Sequence, residues 1–218
     1  LLWHFQYDAD TAYMRKMWPV IKRHLAWEKL NFDSDNDHLY DAYCCIWASD
    51  ALYYSDGAVT HSSSYNYRSN LLAAKIAEKI GEDPAPYLAE AEAIRRAMND
   101  RLWLEGSDAY VPSPADVMAE KRSYIPSHWA EYQDKLGLQR KHPDAALWSV
   151  YTPIDCGVGS PRQMYDATRY VTEHIPHIDV EIAGEKECEY SIISTSDWMP
   201  YSWSINNVAS AEIMHTAL

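Results

Sequence analysis

The stretch that decides the fold reads SYNYRSNLLAAKIAEKIGEDPAPYLAEAEAIRRAMNDRLW, residues 64–103. Over 65–80, Leu71, Leu72, Ala74, Ile76 and Ile80 recur at the spacing that lines one face of a helix. Gly81 then supplies a residue able to take the left-handed backbone that closes a helix. Asp83 and Pro84 restart one, an aspartate cap followed by a proline in the first turn. The second helix is expected to reach Trp103, with Leu88, Ala91, Ile94, Ala97, Met98 and Leu102 on one face. Two amphipathic helices joined by so short a turn make an antiparallel helical hairpin.

Upstream, residues 8–30 carry Tyr13, Met14, Met17, Ile21 and Leu25 at helical spacing, and Asp8 or Asp10 can cap the start. Pro19 interrupts this pattern, which leaves either one kinked helix or a turn with a helix beginning at Pro19. Residues 33–67 follow, DSDNDHLYDAYCCIWASDALYYSDGAVTHSSSYNY, dense in aspartate and tyrosine. A short helix is expected over 43–54, and Ser62, Ser63 and Ser64 offer caps for the hairpin's first helix.

Downstream, residues 106–159 have weak periodicity and scattered Gly and Pro, with a short helix expected over 129–136. A stretch of that length without strong elements reads as functional loop. Ser160 and Pro161 then open a helix running to about His174, residues 178–182 and 190–194 alternate as a small hairpin would, and 204–218 is helical again. Helices joined by long loops make the fold class mainly α.

Composition narrows the function. The formal net charge of −13 argues against a nucleic-acid or anionic-membrane partner, since phosphates need clustered Lys and Arg. Tyr and Trp number 17 and 9 against 2 Phe, a balance that favours wet surfaces offering both an apolar face and a polar handle. Sugars are one ligand for such surfaces. Cys44, Cys45, Cys156 and Cys188 form no CxxC and are expected as free, partly buried thiols. No apolar run of membrane-spanning length occurs.

DSDND at 33–37 invites a calcium-loop reading, but His38 stands where the loop needs Gly and Cys44 where it needs Glu. An Asp/Asn-rich turn is expected instead, and no metal. No nucleotide, zinc-protease or serine-hydrolase signature is present, and no cofactor is expected. Glycoside hydrolysis needs two carboxyl groups across the scissile bond, one of them protonated. Asp50, among Trp47, Ala48, Ala51, Leu52 and Tyr53, has the apolar setting that raises a carboxyl pKa, with a helix-capping role as the alternative. Glu131 in SHWAEY and Asp197 in STSDWMPYSW are the other carboxylates set among aromatics, and Asp197 can equally cap the helix after it.

The hairpin, with its small alanines, Gly-Glu-Asp turn and Asn-Asp-Arg-Leu-Trp ending, resembles a unit of the six-hairpin glycosidases, the (α/α)6-toroid enzymes. DSDNDHLYD (33–41), GLQRKHPDAALWSVYTPID (137–155), SPRQMYDATRYV (160–171) and STSDWMPYSWSINN (194–207) are similar to a bacterial glycogen-debranching-like branch tied to glycan degradation. The resemblance implies that 1–218 forms one toroid-type domain, a partial ring of helical hairpins with long loops. It also implies a carbohydrate substrate and a periplasmic or extracellular setting. Asp50 would protonate the leaving oxygen, with Glu131 or Asp197 as alternatives, and the second catalytic carboxylate can fall beyond Leu218. Trp129, Trp198, Tyr201 and Trp203 would stack on sugar rings, and His61 and Arg68 would bond hydroxyls. The chain opens without Met and its last helical pattern is still running at Leu218, so a domain cut at both ends is expected. A non-catalytic glycan-binding toroid and an α-helical protein-binding scaffold are the competing expectations.

Overall fold

The computed structural model describes residues 1–42, 45–46, 52–53, 57–106, 126–133, 140–142, 147–175, 177–179, 191–193, 214 and 216, and every structural statement below concerns these residues. Helices α1 (His4–Tyr7) and α2 (Thr11–Phe32) lead to α3 (Thr60–Ile80), which packs against α2 and against the next helix, α4 (Ala85–Ala97). Helices α5 (Leu147–Cys156) and α6 (Pro161–Glu173) complete the helical frame, so the chain is mainly α. Short strands lie between them: β1 (Asp41–Ala42), β2 (Cys45–Ile46), β3 (Leu52–Tyr53), β4 (Gly57–Ala58), β5 (Trp103–Leu104), β6 (His128–Trp129), β7 (Glu131–Gln133), β8 (Arg140–His142), β9 (His177–Asp179) and β10 (Ser191–Ile193).

The α3–α4 hairpin forms as its sequence dictates. Gly81 takes φ +80°, and the Glu82 N–H reaches back to the Ala77 carbonyl, closing α3 with the bond pattern of a left-handed cap. The Asp83 carboxylate accepts the Ala85 N–H at the start of α4. α4 gives way at Ala97 to a π-helical turn over Met98–Leu102, so Trp103 belongs to β5 and not to the helix. Ala91, Ile94, Met98 and Leu102 are buried as expected, whereas Leu88 is exposed.

α2 is one continuous helix. Asp10 caps it by accepting the Ala12 and Tyr13 N–H groups. Pro19 sits inside on the exposed side, where the carbonyl it leaves without an intrahelical donor faces solvent. Met14, Trp18, Ile21 and Leu25 form its buried stripe and pack with Phe5 against Ala73, Ile76 and Ala77 of α3. The two alanines keep that side of α3 narrow, so α2 approaches closely. A second apolar cluster joins α4, the π-turn, α5 and α6 through Ile94, Met98, Trp129, Trp148, Tyr151 and Tyr170.

Four expectations are corrected. Of the helix expected over 43–54, the four described residues are strand instead: Cys45 pairs with Tyr53 and Ile46 with Leu52 in an antiparallel β2–β3 ladder, where Ile and Tyr are β-favouring, and the rest lies outside the described residues. In place of the helix expected over 129–136, Trp129 pairs with Trp103 in β6 and Tyr132 and Gln133 pair with β4, with Ala130 between the two strands and 134–136 outside the described residues. Ser62, Ser63 and Ser64 lie within α3, which starts at Thr60 after Val59, a residue with no side-chain cap to give. The low-periodicity stretch 106–159 contains α5, whose described side chains are nearly all buried. A helix covered on every side has no polar face and so shows no stripe.

At α6, Ser160 and Gln163 form a reciprocal capping box with Pro161 in the first turn, as expected. β9 and β10 pair antiparallel, as the hairpin expected over 178–182 and 190–194 requires, with 180–182, 190 and 194 outside the described residues. Of 204–218, only Met214 and Thr216 are described, both helical, and the rest lies outside the described residues. No described helix is long and apolar enough to cross a membrane. Cys156 is free and buried, and burial pushes its thiol up to about 12, which makes it an unreactive core group. The other three cysteines lie outside the described residues or have undescribed side chains.

Candidate functional site

Strands gather at the N-terminal end of α3. The antiparallel order is β1–β4–β7–β8. Asp41 pairs with Ala58 and Ala42 with Gly57, so residues 43–56 form an excursion closed at its base by β1 and β4. Asp50 lies in that excursion, between β2 and β3, itself outside the described residues. On the other side of β4, Ala58 pairs with Tyr132 and Gly57 with Gln133, which sets Glu131 at the start of the adjoining strand. The backbone topology therefore brings the base of the Asp50 excursion and the strand carrying Glu131 into one small sheet. Asp197, Trp198, Tyr201 and Trp203 lie outside the described residues.

Hydrogen bonds tie this sheet to the helix. The Val59 N–H donates to the Tyr40 carbonyl at 3.1 Å, and the Tyr40 N–H donates to Ser63 Oγ at 3.0 Å. Thr60 Oγ1 donates to the Ala130 carbonyl at 2.8 Å, just ahead of β7. Three further side chains on this half of α3 bond within the helix, Ser64 Oγ to the Thr60 carbonyl, Asn66 to the Ser62 carbonyl and Asn70 to the Asn66 carbonyl, while the Tyr67 hydroxyl donates to the Gly157 carbonyl. Buried hydroxyls and amides that find acceptors in this way are tolerated in a core and hold its geometry.

His61 is buried in the first turn of α3, and burial lowers its imidazole to about 4. It is neutral near pH 7, able to donate one hydrogen bond but not to deliver a proton as an acid. Arg68 is engaged within the protein. Its guanidinium donates to the Asp155 carboxylate at 2.6 Å and to the Asp155 carbonyl at 3.0 Å, and lies 4.1 Å from the Trp3 ring centre. Trp129 is fully buried, edge-on to Trp103 at 4.8 Å, and donates from Nε1 to Asn99 Oδ1. A methyl group at Gly159 would overlap its ring. An indole covered in this way has no face to offer a sugar; its role is to fill the core between β6 and α6.

Sequence reasoning passed over Asp41, a carboxylate only 6% exposed on β1, level with Ala58 and, through it, Tyr132. Its signal in the sequence is slight, one aspartate among many, because only the strand pairing sets it apart. Asn99 was passed over too. From the π-turn it accepts from Trp129 and from Gln163 at 2.9 Å, and donates to the Arg95 carbonyl at 2.9 Å and the Val158 carbonyl at 3.3 Å.

The DSDND turn is structured by its own side chains. Asp33 accepts the His38 N–H and Asp37 the Leu39 N–H, while Asn36 and His38 take positive φ. Asp33 is buried, not solvated, and burial raises its carboxyl against the opposing pull of Lys29. Asp33, His38 and Glu90 approach one another closely enough to ligate a metal, but Lys29 Nζ stands among them, 2.6 Å from Glu90, 3.3 Å from Asp33 and 3.4 Å from His38. Asp37 is paired with Arg101. The protein's own ammonium and guanidinium take the places a cation would fill.

No family model matches the sequence, and no curated protein matches it. Among solved structures, the chain is similar to the GH78 family rhamnosidase of Bacillus sp. GL1, with a TM-score of 0.52 and 16% identity over 80% of this chain. It spans 16% of that protein's length. Likeness at that identity speaks for the fold of the helical frame alone.

Proposed function

We propose that this chain belongs to a glycoside hydrolase of the (α/α)6-toroid type, acting on an oligo- or polysaccharide with carboxylate general acid/base catalysis. The observation that carries this reading is the small sheet at the N-terminal end of α3, which joins the base of the Asp50 excursion to the strand of Glu131. The likeness to a rhamnosidase supports the helical frame. Asp50 is assigned as the acid that protonates the leaving oxygen, and Glu131 or Asp197 as its partner. A carboxyl separation of about 6.5–9.5 Å would give inversion and about 5 Å retention. Trp198, Tyr201 and Trp203 are assigned to sugar stacking, and neutral His61 to holding the helix entrance. Arg68 and Trp129 are left to structure.

The test is turnover of aryl glycosides, α-L-rhamnosides among them, by the full-length protein and its Asp50→Asn variant. Loss of an acid of this kind slows hydrolysis by about 10²–10⁴-fold. Loss of turnover with sugar binding retained supports the assignment, and unchanged turnover removes Asp50 from it. A protein that binds sugars and turns none over is a glycan-binding toroid instead.

A further inference from the structure

A second concentration of aromatic and hydroxyl groups lies between α2 and α3. The α2-facing side of α3 presents Ser62, Tyr65, Asn66 and Ser69 to a groove of about 390 Å³, opposite Trp27 and Glu28 of α2. These α3 positions fall on one helical stripe. The groove belongs to the small end of the range that ligand sites occupy, about 300–1,000 Å³. Its floor is Tyr40, the residue just before β1, so it adjoins the base of the excursion.

The two walls differ in chemistry. The Trp27 indole is 52% exposed yet held in place, edge-on to Phe32 at 5.5 Å and stacked on His24 at 6.3 Å. It therefore offers a fixed apolar plane beside the groove. The opposite wall offers hydroxyls and an amide, and the Asn66 amide is oriented by its bond to the Ser62 carbonyl. Glu28, with His24 at 3.6 Å, adds a carboxylate acceptor. Among the described residues no Lys or Arg lines the groove, which disfavours a phosphate or carboxylate ligand. A lipid chain would take water from the Ser62 and Ser69 hydroxyls and the Glu28 carboxylate and give them no hydrogen bond in return. A neutral ring with one apolar C–H face and a rim of hydroxyls matches both walls.

We propose that the α2–α3 groove is a pyranose-binding subsite in which Trp27 stacks on the sugar face while Glu28, Ser62, Asn66 and Ser69 bond its hydroxyls. This rests on the carbohydrate reading above, and assigns it a second contact region beside the strands. A glycan reaching out from the excursion would pass into the groove over Tyr40.

The experiment is saturation-transfer NMR and calorimetry on the full-length protein with methyl pyranosides of glucose, galactose, mannose and rhamnose. Trp27→Ala is expected to weaken binding about tenfold, and Trp27→Phe less, because the smaller ring keeps part of the stacking face. Glu28→Gln is expected to weaken it about threefold. Ser69→Tyr, which fills the groove with Trp27 intact, is expected to abolish it and so guards against a folding defect in the indole variants. Binding that survives both Trp27→Ala and Ser69→Tyr overturns the subsite, as does a groove that takes tetramethylammonium or adenosine in place of every methyl pyranoside. Turnover of aryl glycosides with groove-independent binding sinks the subsite and leaves the hydrolase reading standing. Trp27-dependent binding without any turnover does the reverse.

Discussion

Between residues 60 and 70, α3 buries Thr60, His61, Ser63, Ser64, Asn66, Tyr67 and Asn70, mostly polar; between 72 and 77 it buries Leu72, Ala73, Ala74, Ile76 and Ala77. One helix is thus covered along its length by two different means. The second half is held by close apolar packing against α2 and α4, where shape decides. The first half is held by directed bonds to Tyr40, to Ala130 and to its own preceding turns, where geometry decides. Apolar packing tolerates small slips. Directed bonds do not, and a directed half fixes the strands bonded to it more accurately than packing alone would.

If the division holds, substitutions in the two halves fail in different ways. Ile76→Ala opens a cavity in the packed half and is expected to lower stability by about 3 kcal/mol, read from urea unfolding. The directed half carries a pH dependence that the packed half lacks. Burial lowers His61 from 6.5 to about 4, so the unfolded chain takes up its proton first on acidification. The stability from a neutral His61 is complete above about pH 6.5 and is lost as pH falls toward 4, an effect of about 3 kcal/mol. A His61→Gln protein should show a flatter pH–stability curve in that window; an unchanged curve would mean that the imidazole is not buried in solution.

Ser63→Ala removes the acceptor of a buried N–H at Tyr40 and is expected to cost about 2 kcal/mol, with stronger hydrogen exchange at Tyr40 as its signature. Loss of stability without that exchange would place the Ser63 effect in packing. Leu88→Gln, on the exposed side of α4, should stay within about 0.5 kcal/mol of the wild type, and a larger loss would show that this side is covered.

What could be read from sequence was local. Gly81, Asp83, Asp10 and the Ser160–Gln163 box each act on residues within a turn of themselves, so their effect is written beside them. The strands escaped because they are two or three residues long and owe their existence to partners far away, as Trp103 does to Trp129. α5 escaped because burial on every side removes the contrast that periodicity needs. The same limit governed the site. Arg68 and Trp129 have the chemistry of sugar contacts, but Asp155, Trp3, Trp103 and Asn99 engage them first, and nothing near them in sequence says so. Residues 43–56 could be marked as chemically rich, while their closure by Asp41–Ala58 and Ala42–Gly57 could not.

That closure bears on how such a protein can change over time. The two ends of the excursion are pinned together by β1 and β4, so its length is uncoupled from the helices on either side. Doubling a loop held in this way costs only about 0.6 kcal/mol of closure entropy. Insertions and replacements between residues 43 and 56 can therefore accumulate without disturbing α3. A lineage built on this frame can vary the length and chemistry of this segment while α3 and the helices packed on it are inherited unchanged.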